Sequence, residues 1–320
     1  MQKRIGIIGT FIRDTIITLD GHSVESLGGL YHAVSYLAHL ADADTRIHPL
    51  CHVGEDFYDT VYRVLSGCGE KMVLESLLPH PQANTQVKLM YRSQETRDEI
   101  TSPTMPPIAS EQIQALAGCE AVLVNLISGN DISLDALKSL RKLTPSPLIY
   151  LDLHSLALGI DAAGRRYYRE VPDWREWVAV CDILQLNERE AATLAGWNES
   201  GAPTDLLAFG KKLLDEKLMA CHITLGSAGS LLFYQSAGKR HGVHFQSNKI
   251  SHVIDTIGCG DAFGAAFLIN FLKTKNFLMA TQFANKIAGL NCTFMGSLTP
   301  EMFQTSVKPH LEEILRPCKY

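Results

Sequence analysis

Short runs of β-branched and aliphatic residues alternate along this chain with segments of helical periodicity. The apolar runs are bounded by Gly, Pro, Asn or Asp and include RIGIIG, AVLVNLI, PLIYLDL, DILQLN and CHITLG. Amphipathic stretches such as LYHAVSYLAHLA and SLDALKSLRKL lie between them. Repeated strand–helix units predict an α/β fold with a mostly parallel sheet covered by helices on both faces. In such folds, ligands bind at the carboxyl ends of the strands.

Two segments interrupt this alternation. Residues 11–27 and 84–101 alternate polar and apolar side chains without a helical period, which predicts half-exposed antiparallel strands. We expect these strands to form a small sheet that projects from the main body as a lid. Because the chain shows no internal repeat and no low-complexity linker, residues 1–320 are expected to form a single domain.

Composition and charge narrow the class of ligand. The 320 residues are 46% hydrophobic and 20% charged, and the formal net charge is -5 without any Lys/Arg-rich run. We therefore expect a small-molecule partner, with neither nucleic acid nor a membrane surface bound. No stretch approaches the roughly 18 apolar residues that a membrane span needs. The eight cysteines stand singly, without a C-x-x-C pair, which favours reduced thiols in a cytoplasmic protein.

The segment DTIGCGDAFG, residues 255–264, follows a strand and opens an apolar helical segment. Gly258, Cys259 and Gly260 should lie at a helix N-terminus, where backbone N–H groups and the helix dipole stabilise an anion. An acid there would repel phosphate unless it takes part in the reaction. In phosphoryl transfer, Asp261 can accept the proton of the attacking hydroxyl. The alternative is a plain strand-to-helix turn with Asp261 as its N-cap.

Two other properties of this segment bear on function. A dinucleotide fingerprint needs G-x-G-x-x-G, and here the third glycine falls one place late, which disfavours an oxidoreductase. The P-loop pattern G-x-x-x-x-G-K-[ST] does not occur in the sequence. A thiol at a helix N-terminus is expected to have a lowered pKa, so Cys259 could be reactive; the alternative is that it only replaces a small residue.

Three further motifs accompany DTIGCGD. LNEREA contains the pattern N-x-x-E through Asn187 and Glu190, ITLGSAGSLLF contains T-L-G-x-x-G, and SLGGLYHAVSYLAHL sets Gly-Gly before a helix. In order and spread, the four motifs resemble those of the ribokinase-like carbohydrate kinases, the phosphofructokinase B type, with cysteine in the usual alanine place of D-T-x-G-A-G-D. The resemblance implies a three-layer α/β/α fold with a small antiparallel lid.

The resemblance also implies site residues. Asp261 would be the catalytic base, beside an anion hole formed by Gly258, Cys259 and Gly260. Asn187 and Glu190 would organise Mg²⁺ and its waters around the ATP phosphates, although a helix capping box is the alternative for this pair. The remaining implied positions are Thr224, Gly226, Gly229 and Asn285 for the nucleotide, Asp14, Gly28 and Gly29 for the acceptor, and Asp255 for a monovalent cation such as K⁺.

One position departs from the family pattern. Ala33 occupies the place of an asparagine that commonly contacts the sugar, and Tyr31, His32, Arg92 or Arg97 could compensate. The implied activity is ATP-dependent phosphoryl transfer to a hydroxyl of a small sugar, sugar acid or similar acceptor. A nucleoside kinase and a non-catalytic ligand sensor on the same fold are the alternatives. Because relatives often dimerise through the lid, the resemblance also implies a homodimer.

Overall fold

The computed structural model describes residues 2–92, 97–197, 206–247, 250 and 252–314, and the side chains of 97 and 312–314 are not described. The strands, in chain order, are β1 (Lys3–Ile8), β2 (Phe11–Ile17), β3 (Ser23–Gly29), β4 (Thr45–Gly54), β5 (Leu77–His80), β6 (Gln86–Tyr91), β7 (Arg97–Thr101), β8 (Ala121–Asn125), β9 (Leu148–Asp152), β10 (Leu158–Ile160), β11 (Arg166–Tyr168), β12 (Ile183–Asn187), β13 (Ala220–Thr224), β14 (Ser230–Ser236) and β15 (Lys239–Phe245).

The helices alternate with the strands as the apolar periodicity predicts. In chain order they are α1 (Leu30–Leu40), α2 (Glu55–Gly67), α3 (Leu134–Leu140), α4 (Trp174–Val178), α5 (Glu188–Ala195), α6 (Leu206–Leu213), α7 (Cys259–Thr274), α8 (Phe277–Asn291), α9 (Pro300–Met302) and α10 (Lys308–Ile314). No helix in the described ranges combines the length and the apolar character that crossing a bilayer requires.

The central sheet has the strand order β15-β14-β13-β12-β9-β8-β1-β4-β5. The strands from β13 to β5 pair in parallel, whereas β14 and β15 are antiparallel. Successive side chains of a buried strand point to opposite faces. Along β8, Leu123 accordingly packs in one core cluster, and Val122 and Val124 pack in the other.

Helices cover both faces of this sheet. The first core cluster contains α1, α2, α7 and α8, and the second contains α3, α4, α5 and α6. Trp174 and Trp177 are buried in the second cluster, where their rings pack among other apolar side chains of the core. The predicted three-layer α/β/α fold is confirmed.

The lid is a four-stranded sheet with the order β3-β2-β6-β7. It consists of two antiparallel hairpins that are joined by one parallel pairing of β2 with β6. Ile12, Ile16, Val87 and Leu89 on its inner face are buried against Ile127 of the main body. The lid therefore covers the carboxyl edge of the central sheet, where ligands bind in this class of fold.

Candidate active site

Four neighbouring parallel strands end in polar residues at one edge of the central sheet. Asn125, Asp152, Asn187 and Thr224 are the last residues of β8, β9, β12 and β13. Asn125 stands opposite Asp152 in the strand register, and Asn187 stands opposite Thr224. Because parallel strands end together, the register alone brings these polar side chains to one surface.

A cleft of about 400 Å³ lies between this edge and the lid. The lid supplies apolar walls from Ile12, Val87 and Leu89, and the main body supplies the start of α7. The cleft therefore pairs an apolar roof with a polar floor, which is the usual composition of a small-molecule site. Among the predicted site residues, the cleft is lined by Asp14, Gly29, Asn187, Thr224, Gly258, Cys259, Gly260 and Asp261.

The N-terminus of α7 forms one end of the cleft. Gly258 is the N-cap, with a left-handed φ of +76°, and a Cβ there would lie 2.5 Å from His32 Nδ1. Only glycine fits this position without strain. Within the described part of the chain, the amides of Gly260 and Asp261 have no hydrogen-bond acceptor. This turn therefore presents backbone donors and the positive end of a helix dipole to the cleft.

Asp261 stands in the first turn of α7, two residues beyond its first residue. Because Gly258 is the N-cap, the alternative of Asp261 as an ordinary capping residue is wrong. Asp261 is 8% exposed and lines the cleft. Asn125 Nδ2 donates a hydrogen bond to Asp261 Oδ1 at 2.5 Å. The carboxylate is therefore held by a neutral amide in one orientation beside the unpaired backbone donors.

The predicted acceptor residues lie at the base of the lid. Asp14, on β2, is buried and lines the cleft. A Cβ at Gly28 would lie 1.7 Å from Asp14 Oδ2, so the absence of a side chain makes room for this carboxylate. Gly29 has a φ of +60°, and a Cβ there would lie 2.4 Å from the Thr10 carbonyl oxygen. Both glycines are therefore required by close approach, at Gly29 also by backbone conformation.

Asn187 and Glu190 form a capping box at the start of α5. Asn187 accepts from the backbone N–H of Glu190, and Glu190 accepts from Asn187 N at 2.8 Å and from Asn187 Nδ2 at 2.6 Å. This geometry is the capping alternative that the sequence allowed. Burial raises the pKa of Glu190 to about 8, against the opposing effect of the Asn187 N–H.

Asp152 is the second buried carboxyl group beneath the cleft. Its pKa is raised well above the usual value, first by burial and then by the charges of Glu190 and Asp261. A divalent cation nearby would compensate these charges, and carboxylate oxygens suit Mg²⁺. In the ranges that the structure describes, no three His, Cys, Asp or Glu side chains converge as metal ligands. The buried carboxyl groups of Asp152 and Glu190 fit the chemistry of a Mg²⁺ ion bound near them.

A second cavity, of about 410 Å³, lies between β14, β15 and α8. Tyr234, Val243 and Phe245 contribute apolar walls, and Asn285 contributes an amide. Asn285 Nδ2 donates to Ser230 Oγ at 2.9 Å. Ser230 in turn stands opposite Thr224 in the strand register. Thr224 lines the cleft, so the neighbouring residues Ser230 and Thr224 connect this cavity to it.

The loop after β13 contains the two predicted nucleotide-site glycines. Gly226 and Gly229 have φ values of +54° and +93°. A Cβ at Gly229 would lie 2.0 Å from the Phe245 carbonyl oxygen, so this position excludes any side chain. Gly226 meets no neighbour there and is required only by its backbone conformation. Together they fold the loop tightly over β15.

Asp255 closes the loop that leads into α7. Its Oδ1 accepts from Ile257 N at 3.0 Å, and its Oδ2 accepts from Gly296 N at 3.2 Å. The side chain is 8% exposed. These bonds fix the backbone just before Gly258, and the monovalent cation stays a prediction.

Among the residues considered as replacements for the family asparagine, only His32 lines the cleft in the described part of the structure. Tyr31 is buried in the core, and Arg92 forms an exposed ion pair with Asp98. The side chain of Arg97 lies outside the described residues. Burial lowers the pKa of His32, partly offset by the charge of Asp261, so the ring is predominantly neutral at neutral pH.

Two residues at the cleft, Arg166 and Asn125, lie outside the sequence motifs. Arg166 forms an ion pair with Glu99 at 3.2 Å and donates to Ser155 Oγ at 2.7 Å. His154 has a φ of +35°, which is rare outside glycine, and burial lowers its pKa. Asn125 was also not assigned, although it ends an apolar strand. A polar residue at the end of an apolar strand was the available signal for Asn125.

The expected lowering of the Cys259 pKa is wrong. Cys259 Sγ lies 3.3 Å from Cys292 Sγ. This hydrogen bond raises the pKa of Cys259, with burial as the next cause, and lowers that of Cys292 to about 7. The first cause of the raised pKa of Cys259 is therefore a residue 33 positions away along the chain.

Comparison with known proteins finds a family match over part of the chain. Residues 163–302 match the sequence model of the pfkB family of carbohydrate kinases. The ribokinase of Arabidopsis thaliana is 28% identical over 159 residues, which are 47% of this chain and 37% of that protein. The match therefore spans little more than a third of the length of that relative.

Solved structures agree over nearly the whole chain. Arabidopsis thaliana ribokinase complexed with ribose and ATP has a TM-score of 0.76 and 18% identity, covering 99% of this chain and 100% of that one. A pyrophosphate-dependent kinase in the ribokinase family has a TM-score of 0.74 and 21% identity, covering 94% and 99%. The chain therefore has the ribokinase-like fold over nearly its whole length, and its residues 163–302 match the pfkB family of carbohydrate kinases.

Proposed function

We propose that the protein is an ATP-dependent phosphotransferase that moves the γ-phosphoryl group to a hydroxyl of a small sugar, sugar acid or similar acceptor. The observation that carries this proposal is the position of Asp261. Its carboxylate is oriented by Asn125 and stands beside the unpaired amides of the α7 N-terminus, inside a lidded cleft. A base beside an anion-binding turn is the arrangement that phosphoryl transfer to a hydroxyl requires.

In the proposed reaction, the acceptor binds under the lid with one hydroxyl directed at Asp261. Asp14 accepts hydrogen bonds from other hydroxyls and fixes the orientation of the acceptor. Asp261 removes the proton as the hydroxyl oxygen forms its bond to the γ-phosphorus and the bond to the β-phosphate oxygen breaks. The amides at Gly258, Gly260 and Asp261 stabilise the charge on the transferred group, whereas the Cys259 amide donates to the Thr256 carbonyl oxygen at 3.4 Å.

The second cavity favours a nucleotide as the phosphoryl donor. Its apolar walls and the Asn285 amide suit a purine base, and the link through Ser230 to Thr224 leads to the cleft. Pyrophosphate, the donor of a structural neighbour, would leave this cavity unused. Mg²⁺ would be held near Asn187, Glu190 and Asp152, where it would neutralise phosphate charge.

The position of the lid favours a small acceptor and a site from which water is excluded. Its buried face of Ile12, Val87 and Leu89 closes over the cleft and would exclude the water that competes with the acceptor hydroxyl. In this proposal, lid and main body work as one domain in the cytoplasm. We also propose that β3, one of the two edge strands of the lid, pairs with a second copy to form a homodimer.

The test is ADP release from Mg·ATP across a panel of sugars, sugar acids and nucleosides, with release of inorganic phosphate measured when pyrophosphate is the donor. We expect turnover with ATP and one acceptor class, and none in Asp261→Asn. Turnover only with nucleosides would favour the nucleoside kinase. Binding of ATP without turnover on any acceptor would favour the ligand sensor, and turnover only with pyrophosphate would reject the assigned donor.

A further inference from the structure

Two thiols meet at the catalytic end of the cleft. Cys259 is the first residue of α7, and Cys292 caps the C-terminus of α8. Their sulfur atoms are 3.3 Å apart, in direct contact, and both side chains are partly exposed. Cys259 also lines the cleft, so a small oxidant in the cleft can reach the pair.

We propose that Cys259 and Cys292 form a reversible disulfide under peroxide stress and that this bond inactivates the protein. A disulfide has an S–S distance of about 2.05 Å, so the two sulfur atoms must approach by about 1.2 Å. In the described part of the chain, this is the one pair of cysteine sulfurs in contact. Four others, at positions 51, 119, 181 and 221, are buried thiols.

The reaction needs hydrogen peroxide as the oxidant. One thiol attacks a peroxide oxygen, the O–O bond breaks, and sulfenic acid and one water result. The second thiol then attacks the sulfenic sulfur, the S–O bond breaks, and the hydroxyl leaves as a second water. The two sulfur atoms lose two electrons in total, and peroxide gains them. A dithiol reductant reverses the bond by thiol–disulfide exchange.

The surroundings of Cys259 explain why such a movement would affect the anion-binding turn. Asn291 Nδ2 donates to Cys259 Sγ at 3.4 Å and to the Ile257 carbonyl oxygen at 2.7 Å. Tyr36 holds the same Asn291 side chain at 2.9 Å. Movement of Cys259 Sγ toward Cys292 would therefore disturb the hydrogen bond from Asn291 to the Ile257 carbonyl oxygen, which positions the backbone just before Gly258.

Gly258 leaves little room for adjustment. A Cβ on Gly258 would come within 2.5 Å of His32 Nδ1, so backbone and ring are already in close contact. A shift of the first turn of α7 would move the anion donors relative to Asp261. Misplacement of reacting groups by about 1 Å can lower a rate about 100-fold. We therefore expect the oxidised protein to lose about 100-fold in turnover.

To test the proposal, the folded protein would be treated with hydrogen peroxide and its remaining thiols blocked by alkylation. Its peptides would then be mapped by mass spectrometry. We expect a cross-linked peptide containing Cys259 and Cys292, two hydrogens lighter than the reduced pair, and full reversal by dithiothreitol. Cys292→Ser should retain activity and resist peroxide, whereas Cys68→Ser, at a half-buried thiol away from the pair, should stay sensitive. Equal inactivation of Cys292→Ser, or no cross-link, would overturn the proposal.

The inactivation part rests on the proposed function, but the cross-link does not. A cross-link in a protein that also fails to turn over any acceptor when reduced would count against the proposed activity and support the disulfide. A cross-link that leaves turnover unchanged would reject the inhibitory role. The two failures are therefore distinguishable in one set of samples.

Discussion

Asn125 Nδ2 lies 2.5 Å from Asp261 Oδ1, so the last residue of β8 orients the carboxylate in the first turn of α7. Asn125 Oδ1 has no hydrogen-bond partner within the described residues, although it is buried. An unsatisfied buried polar atom is costly and is retained where it has a function. This contact joins the central sheet to the proposed base.

Replacement of Asn125 by alanine should slow turnover. A hydrogen bond to a charged group contributes about 1.5–3 kcal/mol, so kcat should fall about 10- to 100-fold. KM for ATP should change little, because Asn125 does not line the second cavity. Steady-state kinetics would show this, with Asn130→Ala as a control asparagine. Parental kcat in Asn125→Ala would remove the orienting role.

Replacement of Gly258 by alanine should destabilise the protein and remove activity. The left-handed φ and the approach to His32 together predict a loss of about 1–3 kcal/mol. The matched control is Gly67→Ala at the end of α2, where a Cβ meets no atom within 4 Å and helix propensity improves. Chemical denaturation should show opposite signs for the two variants. A neutral Gly258→Ala would contradict the described turn.

The buried Glu190 should make stability fall as pH rises. Its pKa is raised from 4.5 to about 8 in the folded state, so between these values the folded protein binds more protons than the unfolded chain. The free energy of unfolding therefore decreases over this window and levels off above about pH 8. The effect is on the order of a few kcal/mol.

Glu190→Gln should remove this part of the pH dependence, since glutamine can still cap the helix. Denaturation between pH 5 and about 8.5 would compare it with the parent and with Glu188→Gln at an exposed position of the same helix. The Glu188 variant should parallel the parent. Parallel curves for all three proteins would contradict the raised pKa.

Replacement of Asn285 by alanine should weaken binding of the donor ATP and leave binding of the acceptor unchanged. Its amide contacts Ser230 and faces the second cavity. Loss of about 0.5–1.5 kcal/mol predicts a 3- to 10-fold higher KM for ATP in Asn285→Ala, with the acceptor KM unchanged. Variation of each substrate in turn would separate the two constants. A change confined to the acceptor KM would move the nucleotide away from this cavity.

Much of the fold could be predicted because its signals are local. The apolar runs and helical periods correspond to β1, β8, β9, β12 and β13 and their helices, and the interrupted segments correspond to the lid. The glycines at 28, 29 and 258 were recognisable because close approach restricts the residue type at a single position.

The missed parts of the site depend on contacts between distant segments. Asn125 reaches Asp261 across 136 positions, and Cys292 reaches Cys259 across 33. Strand register and helix packing create these pairs, and neither leaves a spacing in the sequence. The prediction for the pKa of Cys259 is wrong for the same reason. Local helix geometry predicts a lowered pKa, whereas the hydrogen bond to the distant Cys292 thiol raises it.

The central claim is that Asp261 removes the acceptor proton, and a comparison of parent and Asp261→Asn tests it most directly. Formation of the phosphorylated acceptor would be followed by ³¹P NMR, and binding of ATP by calorimetry. We predict that Asp261→Asn binds ATP with nearly parental affinity while product formation falls by at least about 100-fold, as loss of a general base requires. Product formation at the parental rate in Asp261→Asn would contradict the proposed mechanism.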